Sequence, residues 1–280
     1  MFVRAARGIV AVVRHRWFAA SLLLAALGGG SYAIWQTVAP HIADDPMYKL
    51  SADAITITPR PDWIRADVRG EALRDGSLDG PMSILDPQLT SRIAKAFELH
   101  PWIEQVVAVR KFSPARVEVE LVYRKPVCMV EVPGGLYAVD KHGVLLPSTD
   151  FTPTDAARYP RLGGVALATE SLVGTRWEDG RVQGAAHIAA NLADAWTELQ
   201  LVRIVASSDH IPMYELQTTR GTRVIWGFAP GEDAHEPSPA DKIAALREHL
   251  AKRDTIPVQD AIELDLRHTR SASTPSTPKR

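Results

Sequence analysis

The sequence predicts an α+β protein behind one N-terminal transmembrane helix, with a small β-α-β-β unit followed by a β-rich mixed second domain. Three observations carry that expectation. From Trp17 to Ala39 no residue is charged, and about 20 apolar residues suffice to cross a bilayer as a helix. Between Trp63 and Tyr123 the hydrophobic pattern passes from period two to helical spacing and back, giving strand, helix, strand, strand. Beyond Pro126 two amphipathic stretches lie among short alternating runs, so helices and strands must share a core.

The N-terminal segment is oriented by its flanks. Arg4, Arg7, Arg14, His15 and Arg16 precede the uncharged run, and Asp44 and Asp45 follow it. A basic flank stays in the cytoplasm, so everything past Pro40 is placed outside. Trp17 and Trp35 sit near the two ends, where interfacial aromatics belong. A cleaved signal peptide has the same charge order, and Gly28-Gly29-Gly30 weakens a helix. Pro40 directly after Thr37-Val38-Ala39 is a poor residue after a cleavage site, which favours an uncleaved anchor. The expected division is a basic tail at 1–16, the span at 17–39, a linker at 40–58, a first domain at 59–125 and a second at 126–267. Residues 268–280 are rich in Ser, Thr, Pro and basic side chains and read as disordered.

Within the first domain, Trp63 to Gly70 alternates and reads as a strand, and residues 74–85, with Gly76, Gly80 and Pro81, read as loop. Asp86 offers an N-cap with Pro87 at the first helical position. Leu89, Ile93, Ala96 and Phe97 then share one face of a helix over 87–99. Val106 to Lys111 is a strand, Ser113-Pro114-Ala115 a turn, and Val117, Val119 and Leu121 alternate with Glu118, Glu120 and Val122 in a half-buried strand. In the second domain, Asp179 caps a helix whose Val182, Ala185, Ile188, Ala189, Leu192, Trp196 and Leu199 line one face. Val202 to Val205 is a strand, and Tyr214–Thr218 with Thr222–Gly227 form a hairpin around Arg220-Gly221. Asp241 to Lys252 is a second helix and residues 261–267 a last strand.

Composition narrows the function classes. The formal net charge is -1, with basic and acidic residues interspersed beyond the N-terminus, so the chain lacks the basic stripe that nucleic acid requires. Its single cysteine, Cys128, allows no intrachain disulfide and sits in an apolar run as a small hydrophobe. No nucleophile elbow, phosphate-binding Gly-rich loop or His-Glu-x-x-His occurs. Neither catalytic, cofactor-binding nor metal-binding residues are assigned. Strand edges remain as the functional candidates, because unpaired backbone groups accept a partner's strand.

The run His100-Pro101-Trp102-Ile103, Val106 to Phe112, Pro114, Val117-Glu118-Val119 and Tyr123-Arg124-Lys125-Pro126-Val127 resembles the POTRA domain of the FtsQ/DivIB bacterial cell-division family. Leu136 to Leu146, Tyr159 to Gly164 and Ala261 to Arg267 are similar to later stretches of that family. The resemblance implies a non-enzymatic scaffold of the inner membrane and division septum, its N-terminus cytoplasmic and its body periplasmic. Implied partners are other single-pass division proteins (FtsB/FtsL-like and FtsK-like) and wall-synthesis proteins, besides membrane lipid through the anchor. It further implies that POTRA edges and the last strand bind partners. Here those are Val117, Val119, Leu121 and Tyr123 on one strand, and Ala261, Ile262, Glu263, Leu264, Asp265, Leu266 and Arg267 on the other, with His268 extending it. A POTRA protein of export or envelope assembly and a tethered periplasmic enzyme are the competing classes. The first needs amphipathic barrel strands, the second a pocket of convergent side chains.

Overall fold

The computed structural model describes residues 24–34, 36–37, 45–165, 172–233, 235–253 and 263–268. Residues 24–34 and 36–37 are helical and exposed throughout (α1). Much of the expected membrane span, at 17–23, 35 and 38–39, lies outside the described residues, as do the expected tail at 1–16 and all but His268 of that at 268–280. Among the described residues no helix is long and apolar enough to cross a membrane.

The first unit contains β1 (Lys49–Leu50), β2 (Ile55–Ile57), α2 (Val68–Asp75), β3 (Met82–Ser83), α3 (Leu89–Glu98), β4 (Ile103–Phe112) and β5 (Arg116–Tyr123). Its main sheet runs β2-β5-β4, with β5 parallel to β2 and antiparallel to β4. The strict alternation of β5 puts Val117, Val119 and Leu121 inward and leaves Arg116, Glu118 and Glu120 exposed. Opposite them lie Val68, Ala72 and Leu73 of α2 and Leu89, Ile93, Ala96 and Phe97 of α3, all buried. Each buried Val or Leu contributes about 1.5–3 kcal/mol relative to exposure, so the two helices and β5 form the stabilising centre of this unit.

Several expectations are corrected here. Residues 40–58 are not simply a linker, because β1 and β2 lie within it and Leu50 and Ile55 are fully buried. Trp63 to Gly70 is not a strand. Asp67 accepts a hydrogen bond from Gly70 N at 3.1 Å and caps α2, which the period of Val68, Ala72 and Leu73 then continues. Gly70 sits inside that helix rather than ending a strand. A Cβ there would lie 2.1 Å from the Asp67 carboxylate, so the capping geometry needs its absence. The loop expected at 74–85 accordingly begins only after α2. At α3 the N-cap position is Gln88, while Asp86 Oδ1 accepts from Gln88 N at 2.8 Å in the turn before it.

The second unit contains β6 (Pro126–Val132), β7 (Gly135–Asp140), α4 (Pro153–Ala156), β8 (Arg161–Gly163), α5 (Gly180–Leu192), β9 (Leu201–Ala206), β10 (Tyr214–Thr218), β11 (Arg223–Gly227), α6 (Pro239–Arg253) and β12 (Glu263–Asp265). They build a seven-stranded mixed sheet in the order β12-β11-β10-β9-β8-β6-β7. Helix α5, capped by Asp179 as expected, buries Val182, Ala185, Ile188, Ala189 and Leu192. It ends at Leu192, earlier than the apolar spacing suggests, yet Trp196 and Leu199 stay buried in the turns that follow. Gly184 lets this helix approach Tyr214, whose hydroxyl would lie 2.1 Å from any Cβ at that position.

The two units are joined through a common apolar cluster, in which Met129, Ala138, Leu146 and Ala156 of the second pack with the core of the first. Polar contacts cross the same seam. Arg124 Nη1 meets Asp140 at 2.7 Å, Trp102 Nε1 donates to Asp150 at 2.6 Å, and Arg65 pairs with Asp155 at 2.7 Å.

Candidate partner-binding strands

β5 is the middle strand of its sheet and has no free edge over most of its length. On one side it pairs with β4 from Arg116 to Tyr123. On the other, Val117 to Val119 pair with Ile55 to Ile57. Thr58 closes the rest. Its amide donates to Val119 O at 3.1 Å, its hydroxyl accepts from Leu121 N at 2.8 Å, and its carbonyl accepts from the Tyr123 hydroxyl at 2.7 Å. Burial pushes the Tyr123 phenol up from its usual value. The expectation that Val117, Val119, Leu121 and Tyr123 offer an edge is therefore corrected: the three apolar residues are core, and the backbone beside them is taken. The outer strands of that sheet are β2 and β4.

β12 has the opposite position. It is the terminal strand of the seven-stranded sheet, parallel to β11, with Arg223, Val224 and Ile225 opposite Glu263, Leu264 and Asp265. Leu266 N donates to Ile225 O at 2.9 Å. In a parallel ladder alternate residues turn their amides to the same side, so Leu264 and Leu266 face β11 and Glu263 and Asp265 face outward. Leu266 is 1% exposed and packs in the core of the second unit, Leu264 packs against that core half-buried, and Glu263 and Asp265 are exposed. Ala261 and Ile262 lie outside the described residues, and His268 is exposed just beyond the strand.

Charged side chains brace this edge. Arg223 on β11 donates to Glu215 of β10 (Nε to Oε2, 2.6 Å) and to Glu263 of β12 (3.0 Å), tying three strands together. The guanidinium holds the Glu215 carboxyl below its usual value. Arg267 clamps Asp265 through Nη2 at 2.6 Å and Nε at 3.0 Å, and its backbone amide adds a bond of 2.9 Å. Those bonds bring the Asp265 carboxyl down to about 2. Behind the edge, buried Lys242 donates to Glu236 at 2.5 Å and to Trp226 O at 2.7 Å, fixing the loop before α6 against the end of β11. The role of Arg223 was not singled out in the sequence. The signal was there in the hairpin alternation, which sets Glu215 and Arg223 on one face of facing strands.

Among the described residues no three His, Cys, Asp or Glu side chains are grouped as metal ligands. Cys128 is fully buried, and burial raises its thiol to about 12, far from the thiolate a nucleophile needs.

No family model matches the chain. Over 144 residues, 49% of its length, the chain is 31% identical to the cell division protein FtsQ of Anaeromyxobacter sp. (strain K), of which it covers 45%. Over 97 residues, 35% of its length, it is 31% identical to the cell division protein FtsQ of Koribacter versatilis (strain Ellin345), of which it covers 27%. The chain thus spans less than half the length of either relative.

Proposed function

We propose that this chain is a non-enzymatic, single-pass membrane scaffold of bacterial cell division that recruits other single-pass division proteins by accepting a strand on β12. The observation that carries the reading is the position of β12. It is a terminal strand with outward amides at Glu263 and Asp265, held from behind by Arg223 and the buried Leu266. An added strand gains its affinity from main-chain hydrogen bonds and its specificity from alternate side chains. The partial similarity to two FtsQ proteins supports the division setting.

The order β2-α2-β3-α3-β4-β5, with β2 parallel to β5 and β3 outside their sheet, suits a POTRA-type unit carrying two helices instead of the single one the sequence suggests. The anchor rests on the uncharged stretch at 17–39 and on α1, where the apolar Leu24, Leu27 and Ile34 are 60–69% exposed. Such a surface is at home in hydrocarbon. With the N-terminus cytoplasmic, both units stand in the periplasm, and the septum is their place of work.

Glu263→Pro tests the strand-addition step. It removes one outward amide at the first position of the strand, where proline is tolerated, and leaves the amides facing β11 in place. In full-length chain captured from solubilised bacterial membranes, the wild type recovers single-pass division proteins and the variant loses at least about tenfold of them, a difference of about 1.4 kcal/mol. Equal recovery by both, or recovery of barrel-assembly factors alone, overturns the proposal.

A further inference from the structure

Three charged side chains are buried among the described residues: Asp140, Asp150 and Lys242. Two of them have a counter-charge. Asp140 takes Arg124 at 2.7 Å and two backbone amides, and Lys242 takes Glu236. Asp150, 5% exposed, takes among the described residues only the Trp102 indole N–H, on Oδ2. A carboxylate attracts a cation into the site it lines, and satisfying an indole donor does not require a charge, since an amide oxygen accepts that bond equally well.

Asp150 lines a cleft of about 240 Å³ at the seam between the two units. Trp63, Phe151 and Tyr159 are its aromatic walls, and Asp62, Arg65, Asp155 and Arg158 are the other charged residues that line it. Trp63 comes from the segment before α2, and Phe151 and Tyr159 flank α4 with their rings edge to face at 6.0 Å. Aromatic faces and a desolvated carboxylate attract the same kind of group, a cation. At the rim, Arg65 is already engaged by Asp155, and Arg158 is exposed.

We propose that this cleft is a binding site for an organic cation, a primary ammonium or guanidinium on a flexible stem, whose charge meets Asp150 while its stem lies along Trp63, Phe151 and Tyr159. The site is separate from β12 and independent of the division reading, because its ligand is recognised by the seam alone. The same chemistry is carried by a lysine or arginine side chain of a partner and by a free diamine.

The test is titration of the full-length chain, labelled with ¹⁵N at tryptophan and held in a non-ionic detergent. The probes are cadaverine, Nα-acetyl-lysine amide, uncharged pentanediol and anionic glutarate. The Trp102 indole resonance reports on Asp150 directly. The two cations are expected to shift it saturably in the millimolar range, and pentanediol and glutarate are not. Asp150→Asn, which keeps an acceptor for Trp102, is expected to weaken the cations by at least about tenfold. Saturation by the lysine amide alone assigns a peptide-borne cation, and by cadaverine alone a free diamine; both uphold the site. Equal shifts with all four probes, or none, overturn it. So does a wild type that ignores cations together with an Arg158→Gln variant that loses more thermal stability than Asp150→Asn, since Arg158 is then the counter-ion. Should Asp150→Asn fail to fold, the wild-type contrast between cadaverine and pentanediol still decides.

Discussion

β5 and β12 begin from the same sequence signal and finish in opposite situations. Each alternates apolar with polar residues, and each lies parallel to one neighbour. β5 is enclosed by β4, which reaches it through a short turn, and by β2, which arrives from residues 55–57. Among the described residues β12 meets β11 alone, after the whole of α6 has intervened. Alternation reports which face of a strand is buried, and says nothing about how many of its edges are paired. Edge status is decided by segments distant in the chain, and here a three-residue strand, β2, decides it.

Four measurements break or sharpen that contrast. The largest effect is expected from Val119→Asp in β5. An unpaired carboxylate would enter a site that is 1% exposed, costing about 4 kcal/mol or more in urea unfolding; a loss under about 1 kcal/mol would mean that β5 is not core. Next comes Leu266→Ala, which removes the buried side chain anchoring the end of β12. It should cost about 2 kcal/mol and increase amide exchange at Leu264 and Leu266 while leaving β5 protected. Glu263→Pro should change global stability by about 1 kcal/mol or less, because the exposed Arg223–Glu263 pair it removes contributes little, even as it lowers capture of partners at least about tenfold. The smallest effect is a pH dependence confined to the edge. The Asp265 carboxyl is depressed to about 2 by the Arg267 guanidinium, so its clamp is fully present above the ordinary carboxylate value near pH 4. It is lost as pH falls from there through about 2. Side-chain resonances of Arg267 should follow that titration with little change at β5.

The elements that could be read directly are those with long, regular patterns. Helices α3 and α5, strands β4 and β5, and the β10–β11 hairpin all lie close to where the spacing puts them. Helix α2 is hidden because Ile64, Ala66 and Val68 mimic alternation across a turn, and because Gly70 resembles a strand end when it is a capping accommodation for Asp67. Strands β1, β2 and β3, at two or three residues each, are too short to carry a period, and only their partners define them. The seam was equally invisible. Trp102 and Asp150 are 48 positions apart, and Arg65 and Asp155 are 90 apart, so the cleft between them belongs to the tertiary fold. For β12 the pattern identified the strand, the fold supplied its place at the sheet's end, and Arg223 emerged as its brace only once the strands were aligned.

The parallel entry of β12 has a consequence for the order in which this protein is made. Residues 228–262 must emerge before β11 acquires its second neighbour. During that interval Arg223 to Gly227 is itself a bare margin, with Ile225 and Trp226 at its centre, and such margins invite aberrant pairing. A chain released before β12 would carry that exposure permanently. Premature truncation would therefore yield a sticky product as well as an inactive one, and surveillance of unfinished chains would matter more here than for a sheet whose last strand closes a hairpin.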